Sequence, residues 1–426
     1  MNSSLYRICK SSKQSFDLTS AADQAYLYDL VSRIKSFPLE EIIKLGNDSA
    51  TPLSFRIAAK IADSKNYIES CPHKLKIGVV FAMWGEQNRL QKKSDNNPNG
   101  EDLLNVKVDQ LAWLFKGSNI DWKLYAVDDG CPHGSGTMAE SIRKESEYAD
   151  QIAVLFLEKA LPADKPPLKN LASADDSRKG GAILLGCAKA LQDEVDLIIY
   201  TDADNSVHLS QIGLLLRPHL EEGFKVVLGN RKDPNAVLVK QENRWGIGIK
   251  ALRHMQRMIG VSIFSRDIRD SQAAFKLYHK DILSEILKNP SVYDFAFDSD
   301  WIACVIAMEE EFAKVPFAFI DSFAESASIV QGPMTTWETL LKGLVQAVRA
   351  RKIPHNEEMA KIVMEQIGSH HDLDLLINDL PEELVDVEDK DLGNPEIMSP
   401  KKMEAWIKSQ KLKINNTASG KPNQKK

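Results

Sequence analysis

The amino-acid sequence predicts a layered α/β fold built on a mostly parallel sheet, with helical segments at both ends. Two patterns carry that expectation. From Lys76 onward, short apolar runs alternate with longer stretches whose apolar positions recur at three- and four-residue intervals, as in repeated strand–helix units. The runs, such as DLIIYT, are continuous rather than alternating, which suits strands covered on both faces.

Taken in order, residues 1–73 predict a helical extension. Apolar spacing in QAYLYDLVSRIKSF and SFRIAAKIADSKNYI is helical, with turn-forming Pro38 and the Asn47 to Pro52 stretch between them. The α/β unit is expected over 74–330. Its candidate strands are KIGVVFA, WKLYAVD, QIAVLFL, VDLIIYTD and FKVVLG; its candidate helices are LLNVKVDQLAWLFKG, GTMAESIRKESEYA, GGAILLGCAKALQDE and LSQIGLLLRPHLEE. KQENRWGIGIKALRHMQRMIG reads as a basic amphipathic helix carrying Arg244, Lys250, Arg253 and Arg257. Residues 331–400 predict a second helical extension, with ten acidic residues against one lysine between Asp372 and Glu396. The basic tail, 401–426, has eight lysines and one glutamate and is expected to be disordered, the acidic and basic blocks attracting one another.

Composition excludes several classes. The 426 residues are 43% apolar and 27% charged, which is ordinary for a globular chain. A net charge of −6 and a pI near 5.9 give no global basic field for nucleic acid. No run approaches the roughly 18 apolar residues of a membrane span, and MNSSLYRICKSSKQSFDL lacks the apolar core of a secretory signal, so a cytoplasmic address is expected. Five widely spaced cysteines, none in a CxxC pair, fit neither a disulfide framework nor a structural zinc site.

Ligands of open α/β sheets bind outside the carboxyl ends of the strands. Three strands end in acidic residues there: KIGVVFA runs into Met83-Trp84-Gly85-Glu86, KLYAV into Asp128-Asp129-Gly130, and DLIIYT into Asp202-Ala203-Asp204. Two carboxylates two residues apart can turn toward one hard cation, Mg²⁺ or Mn²⁺, which shares its remaining positions with phosphate oxygens. An acidic group at 128–129 can accept from a base N–H or a ribose hydroxyl. Ser177-Arg178-Lys179-Gly180-Gly181-Ala182 opens a helix with glycines and adjacent cations, which admits a phosphate or sugar closely.

The ordered runs AVDDG, RKGGAILLGCAKA, IIYTDAD, VVLGNR, IRDSQAAFKLY and FAFDSDWI resemble the inverting family-2 glycosyltransferases of GT-A (Rossmann-like) fold. Within that family they look most like the polyprenyl-phosphate (dolichyl-phosphate) glucosyl- and mannosyltransferases; Asp270, Gln272, Phe275 and Lys276 match the D-x-Q-x-x-F-K segment. The resemblance covers about residues 74–320. It implies a metal-dependent hexosyltransferase taking a nucleotide-diphosphate sugar. Asp128 and Asp129 would bind base and ribose, Lys179 the base or diphosphate, and Asp202 and Asp204 the metal on the diphosphate. Arg231, Gln272 and Lys276 would line the donor-sugar and acceptor region. Asp298 and Asp300 fall on an acidic pair at a helix start, and Asp300 is the favoured general base.

The sequence departs from the family pattern. Ala82-Met83-Trp84-Gly85-Glu86 replaces Pro-x-x-Asn-Glu, QKKSDNNPNGED is inserted after it, Ala274 stands for glycine, and His208 sits slightly off an occasional third metal position. A hydroxyl acceptor on a small molecule is expected, with a base to remove its proton. A lipid-phosphate acceptor, already ionised, would need none, and Arg244, Arg253, Arg257 and Arg269 would hold it. Nucleotidyl transfer and non-catalytic nucleotide-sugar binding are the rival readings.

Overall fold

Each expected strand and helix of the α/β region forms, and strands that the apolar runs did not announce complete the sheet. The computed structural model describes residues 2–240, 246–321 and 333–418, and the chain divides into two units. The first comprises Met1–Gln241, Arg269–Tyr293 and Glu309–Ser326. Its chain opens with α1 (Ser3–Lys10), α2 (Ala21–Ile34), α3 (Leu39–Asn47) and α4 (Leu53–Ser70). Pro38 and Pro52 stand at the N-caps of α3 and α4, where a missing N–H costs no helical hydrogen bond.

The strands of this unit are β1 (Leu75–Met83), β2 (Ile120–Asp128), β3 (Ile152–Phe156), β4 (Leu197–Thr201), β5 (Val226–Asn230), β6 (Val237–Val239), β7 (Phe275–His279), β8 (Phe312–Pro316) and β9 (Ala318–Ile320). The main sheet has the order β3-β2-β1-β4-β7-β5-β8, and β6 pairs with β9 separately. All neighbours in the main sheet are parallel except that β7 runs antiparallel between β4 and β5. Ile77, Val79, Val80 and Phe81 of β1 are fully buried, as a strand covered on both faces requires. Helices α5 (Leu103–Phe115), α6 (Ser135–Glu145), α7 (Gly180–Gln192) and α8 (Ile212–Glu222) follow the strands in turn. Gly186 lets α7 lie close on β1, since a Cβ there would come within 2.4 Å of Val80. This mixed α/β sheet bears out the layered α/β expectation.

The first 70 residues are not a detachable extension. The Ser64 hydroxyl accepts from the Gly213 N–H at 2.8 Å, Arg217 pairs with Asp63 at 2.6 Å, and Ile68 belongs to the sheet's own core. A second cluster joins Leu27, Leu30, Phe55 and Ile61 to Val237 and Ile320.

The second unit, Glu242–Ile268, Asp294–Met308 and Ala327–Lys426, is helical. Its helices include Ile249–Ile259, Phe297–Ala307, Pro333–Arg351, Glu357–Gln366, His370–Leu376 and Pro400–Ala418. Leu252, Met255, Trp301, Leu341, Val345, Val363 and Ile407 are buried. Of the tail expected to be disordered, Pro400–Ala418 is a helix, because its apolar positions Met403 and Ile407 recur four apart and are buried, while 419–426 lie outside the described residues. Its lysines meet the acidic block: Lys402 with Glu383 (3.3 Å), Lys411 with Asp372 (2.8 Å) and Lys413 with Asp379 (3.2 Å). Arg253 and Arg257 both pair with Asp389, while Arg244 lies outside the described residues. No helix among the described residues is long and apolar enough to cross a membrane.

Candidate active site

Register brings the acidic strand ends to one edge. Met83 stands opposite Asp128, and Val80 opposite Tyr200, two residues before Asp202. Asp202 follows β4 with its side chain 34% exposed, and its Oδ1 accepts from the Lys179 ammonium. Burial alone would raise this carboxyl, but Lys179, with Arg231 and Lys107, holds it below the usual carboxylate range. Asp204 differs: burial, with Asp202 and Glu101 close by, pushes it up to about 6. Its Oδ1 accepts from the Ser206 N–H at 3.1 Å, and its carbonyl accepts from the Lys107 ammonium at 2.6 Å.

At the end of β2 the two aspartates are used by the protein. Asp128 accepts the backbone N–H of Cys131 (2.9 Å) and of Gly136 (2.7 Å), one on each oxygen. Glycine is required at 136, where a Cβ would sit 2.7 Å from Asp128 and 2.6 Å from the Phe156 ring. Asp129 accepts from the Ser177 hydroxyl and the Lys179 N–H, and burial pushes its carboxyl up to about 7. Those bonds hold Arg178 (φ 42°) and Lys179 (φ 93°) in left-handed backbone, a conformation that costs non-glycine residues about 1–3 kcal/mol each. Lys179 thus joins the ends of β2 and β4, with its N–H on Asp129 and its ammonium on Asp202. Beside this edge Trp84 is 38% exposed, with its ring edge-on to His133 at 5.7 Å.

Beside Asp202 and Asp204 lies a buried ionic layer of which the sequence reading singled out only Glu86. Arg89 pairs with Glu86 (2.9 Å) and Glu101 (3.2 Å), and Glu101 accepts the Asn205 N–H (2.9 Å). Burial pushes Glu86 up to about 7. Glu101 comes from the inserted segment and Lys107 from α5. The signal for Lys107 was legible: it shares the stripe of Leu103, Leu104, Val108 and Leu111, where a lysine has no business unless paired. Glu101 carried no comparable signal, because its partner Asn205 is distant in sequence. His208, expected near a third metal position, is buried; its Nδ1 accepts the Ser210 N–H at 3.2 Å, and burial pushes its pKa down to about 3.

Arg231 and Asp270 form a paired unit, and the Arg231 guanidinium stands 4.9 Å over the Phe319 ring. Gln272 has a buried side-chain amide nitrogen with no hydrogen-bond partner. Lys276, expected to line the site, is fully buried, donating to the Tyr200 hydroxyl (2.8 Å) and the Ala273 carbonyl (2.5 Å), so its ammonium serves the protein interior. Asp298 and Asp300 belong to the second unit, on the first turn of Phe297–Ala307. Asp298 is buried. Asp300 is fully buried, and both its oxygens are engaged by Arg351, at 2.7 and 2.9 Å.

Comparison with known proteins adds the following. Residues 108–287 match the model of "Glycosyl transferase family 2". A dolichyl-phosphate beta-glucosyltransferase ALG5D of Trichomonas vaginalis is 24% identical over 256 residues, covering 56% of this chain and 66% of that protein. Among solved structures, glucosyl-3-phosphoglycerate synthase from Mycobacterium tuberculosis, with Mg²⁺ and uridine diphosphate, aligns at a TM-score of 0.43 and 14% identity, over 70% of this chain and 85% of that one. Mannosyl-3-phosphoglycerate synthase from Rubrobacter xylanophilus aligns at 0.43 and 12% identity, over 68% and 84%. The matched stretch holds β2, β4, β5 and β7 together with Asp128, Lys179, Asp202, Asp204, Arg231 and Gln272, so the similarity to glycosyl transferase family 2 spans the acidic strand ends.

Proposed function

We propose that the protein is a metal-dependent, inverting glycosyltransferase that moves a hexose from a nucleotide-diphosphate sugar to a hydroxyl acceptor. The observation that carries this reading is the Asp202–Asp204 pair at the end of β4. One carboxylate is balanced by Lys179, and the other is held up to about 6 by burial and its acidic neighbours. Two carboxylates at a strand end, one of them held up by acidic neighbours, suit a divalent cation with oxygen ligands. Asp202 and Asp204 would hold Mg²⁺ or Mn²⁺, whose charge would offset that of the departing diphosphate.

The remaining work belongs to this chain's side chains. Lys179 is aimed at the same edge and can donate to a phosphate oxygen. Gln272 offers an unpaired amide N–H for a sugar hydroxyl, and Arg231, oriented by Asp270, adds positive charge. Asp129 orders the Lys179 loop, and Asp128 shapes the turn that receives the base. The acceptor oxygen attacks the anomeric carbon, its proton passes to a carboxylate, and the bond from that carbon to the diphosphate breaks with the electron pair leaving on the nucleotide. The family resemblance offers Asp298 and Asp300 for that proton, and Asp300 is held at both oxygens by Arg351.

The test is a panel of nucleotide sugars with Mn²⁺ or Mg²⁺, read as thermal stabilisation and as sugar transfer. Metal-dependent stabilisation by one donor supports the reading, while stabilisation by none, with or without metal, removes it. Asp298→Asn and Asp300→Asn, each read for transfer with donor binding measured separately, test whether either carboxylate takes the proton. The name of the Trichomonas relative favours a second reading, a polyprenyl phosphate as acceptor. Transfer to a dolichyl phosphate but to no polyol would select it.

A further inference from the structure

Lys179 is held in two different ways. Its backbone is fixed by the Asp129 carboxylate, within a left-handed pair of residues that only such bonds sustain. Its side chain, 22% exposed, reaches across to Asp202 on a flexible four-carbon stem. The ammonium therefore sits on one of the carboxylate oxygens open to a divalent cation at Asp202 and Asp204. Two cations so close repel strongly at the effective dielectric of a protein surface, so they compete for that place.

We propose that Lys179 is the resting counter-ion of Asp202, displaced from that carboxylate when a divalent cation binds and thereby released toward the donor's phosphate oxygens. The inference rests on the metal-dependent reading above and deepens it. The lysine keeps the acidic edge neutralised while the site is empty, and its departure couples metal arrival to donor capture. A purely structural ion pair would have the opposite signature, since removing it would loosen the turn that carries Asp202 and weaken every ligand bound there.

The test compares wild type, Lys179→Met and Lys179→Arg by calorimetric titration with Mn²⁺ alone, then with uridine diphosphate in saturating Mn²⁺. Lys179→Met should bind Mn²⁺ about tenfold more tightly than wild type and uridine diphosphate at least tenfold more weakly; Lys179→Arg, which keeps the charge, should not gain Mn²⁺ affinity. In the wild-type protein, acetylation of Lys179 mapped by mass spectrometry should rise on adding Mn²⁺. Equal or weaker Mn²⁺ binding by a folded Lys179→Met, or acetylation that ignores Mn²⁺, overturns the inference and leaves the proposed function standing. Mn²⁺ binding by none of the three proteins overturns both. Should Lys179→Met fail to fold, the acetylation result decides alone.

Discussion

Asp270 holds Arg231 at three points: its Oδ2 accepts the Arg231 backbone N–H at 2.8 Å and the Nε–H at 2.9 Å, and its Oδ1 accepts from Nη2 at 2.7 Å. This bidentate pair, extended to the backbone, fixes the direction of a guanidinium that also neighbours Asp202. Asp270→Ala removes the hydrogen-bonded carboxylate from that nearly buried charge. It should lower unfolding stability by about 3 kcal/mol, measured by urea denaturation. Adding Arg231→Met should recover part of the loss, because the stranded charge goes with it.

On the proposed metal-dependent reading, the Asp204 carboxyl, held up to about 6, would set a pH window for cation binding. Below about 6 it carries a proton that a metal would have to expel; above, it is ready as a ligand. Mn²⁺ affinity should therefore rise as pH passes from 5 to 7 and level off beyond. Calorimetry at pH 5, 6 and 7 checks this, and Asp204→Asn should bind weakly at all three.

His254 gives the second unit a different dependence. Its Nδ1 accepts the Gly393 N–H at 3.0 Å, so its Nε2 carries the proton donated to the Met398 carbonyl, also at 3.0 Å. Burial holds its pKa below the ordinary 6.5. A histidine kept neutral when folded but free to charge when unfolded contributes stability above pH 6.5 that is lost as pH falls below it. Thermal melts between pH 7.5 and 5.5 should show the loss in wild type and a shallower one in His254→Gln.

Gly136→Ala places a methyl group against Asp128 and the Phe156 ring. Neither neighbour is the free end of a flexible chain, so a cost of about 1–3 kcal/mol is expected. Circular-dichroism melts would report it, and a variant as stable as wild type would show that the turn after β2 yields easily.

Sheet and site were legible to different depths. The five apolar runs announced β1 to β5, because continuous aliphatic stretches bounded by acidic residues have few other uses. FKLYH at β7 is short and mixed, with Lys276 buried in it, and its strand character comes from pairing with β4 and β5 on either side. Asp202, Asp204 and Lys179 could be found as strand-end and helix-start residues. Whether a carboxylate faces a ligand or a protein partner depends on contacts remote in sequence. Asp128 with Gly136, Asp300 with Arg351 and Lys276 with Tyr200 all resolve toward the protein, which spacing along the chain could not reveal.

The seam between α4 and α8 bears on how the protein can be trimmed. A shortened version starting at Leu75 would expose the flank that Phe55, Ile61 and Ile68 now shelter, and it would leave Arg217 without Asp63. Such a fragment should clump on expression rather than work as a minimal enzyme, so the leading helices travel with the sheet as one inheritance.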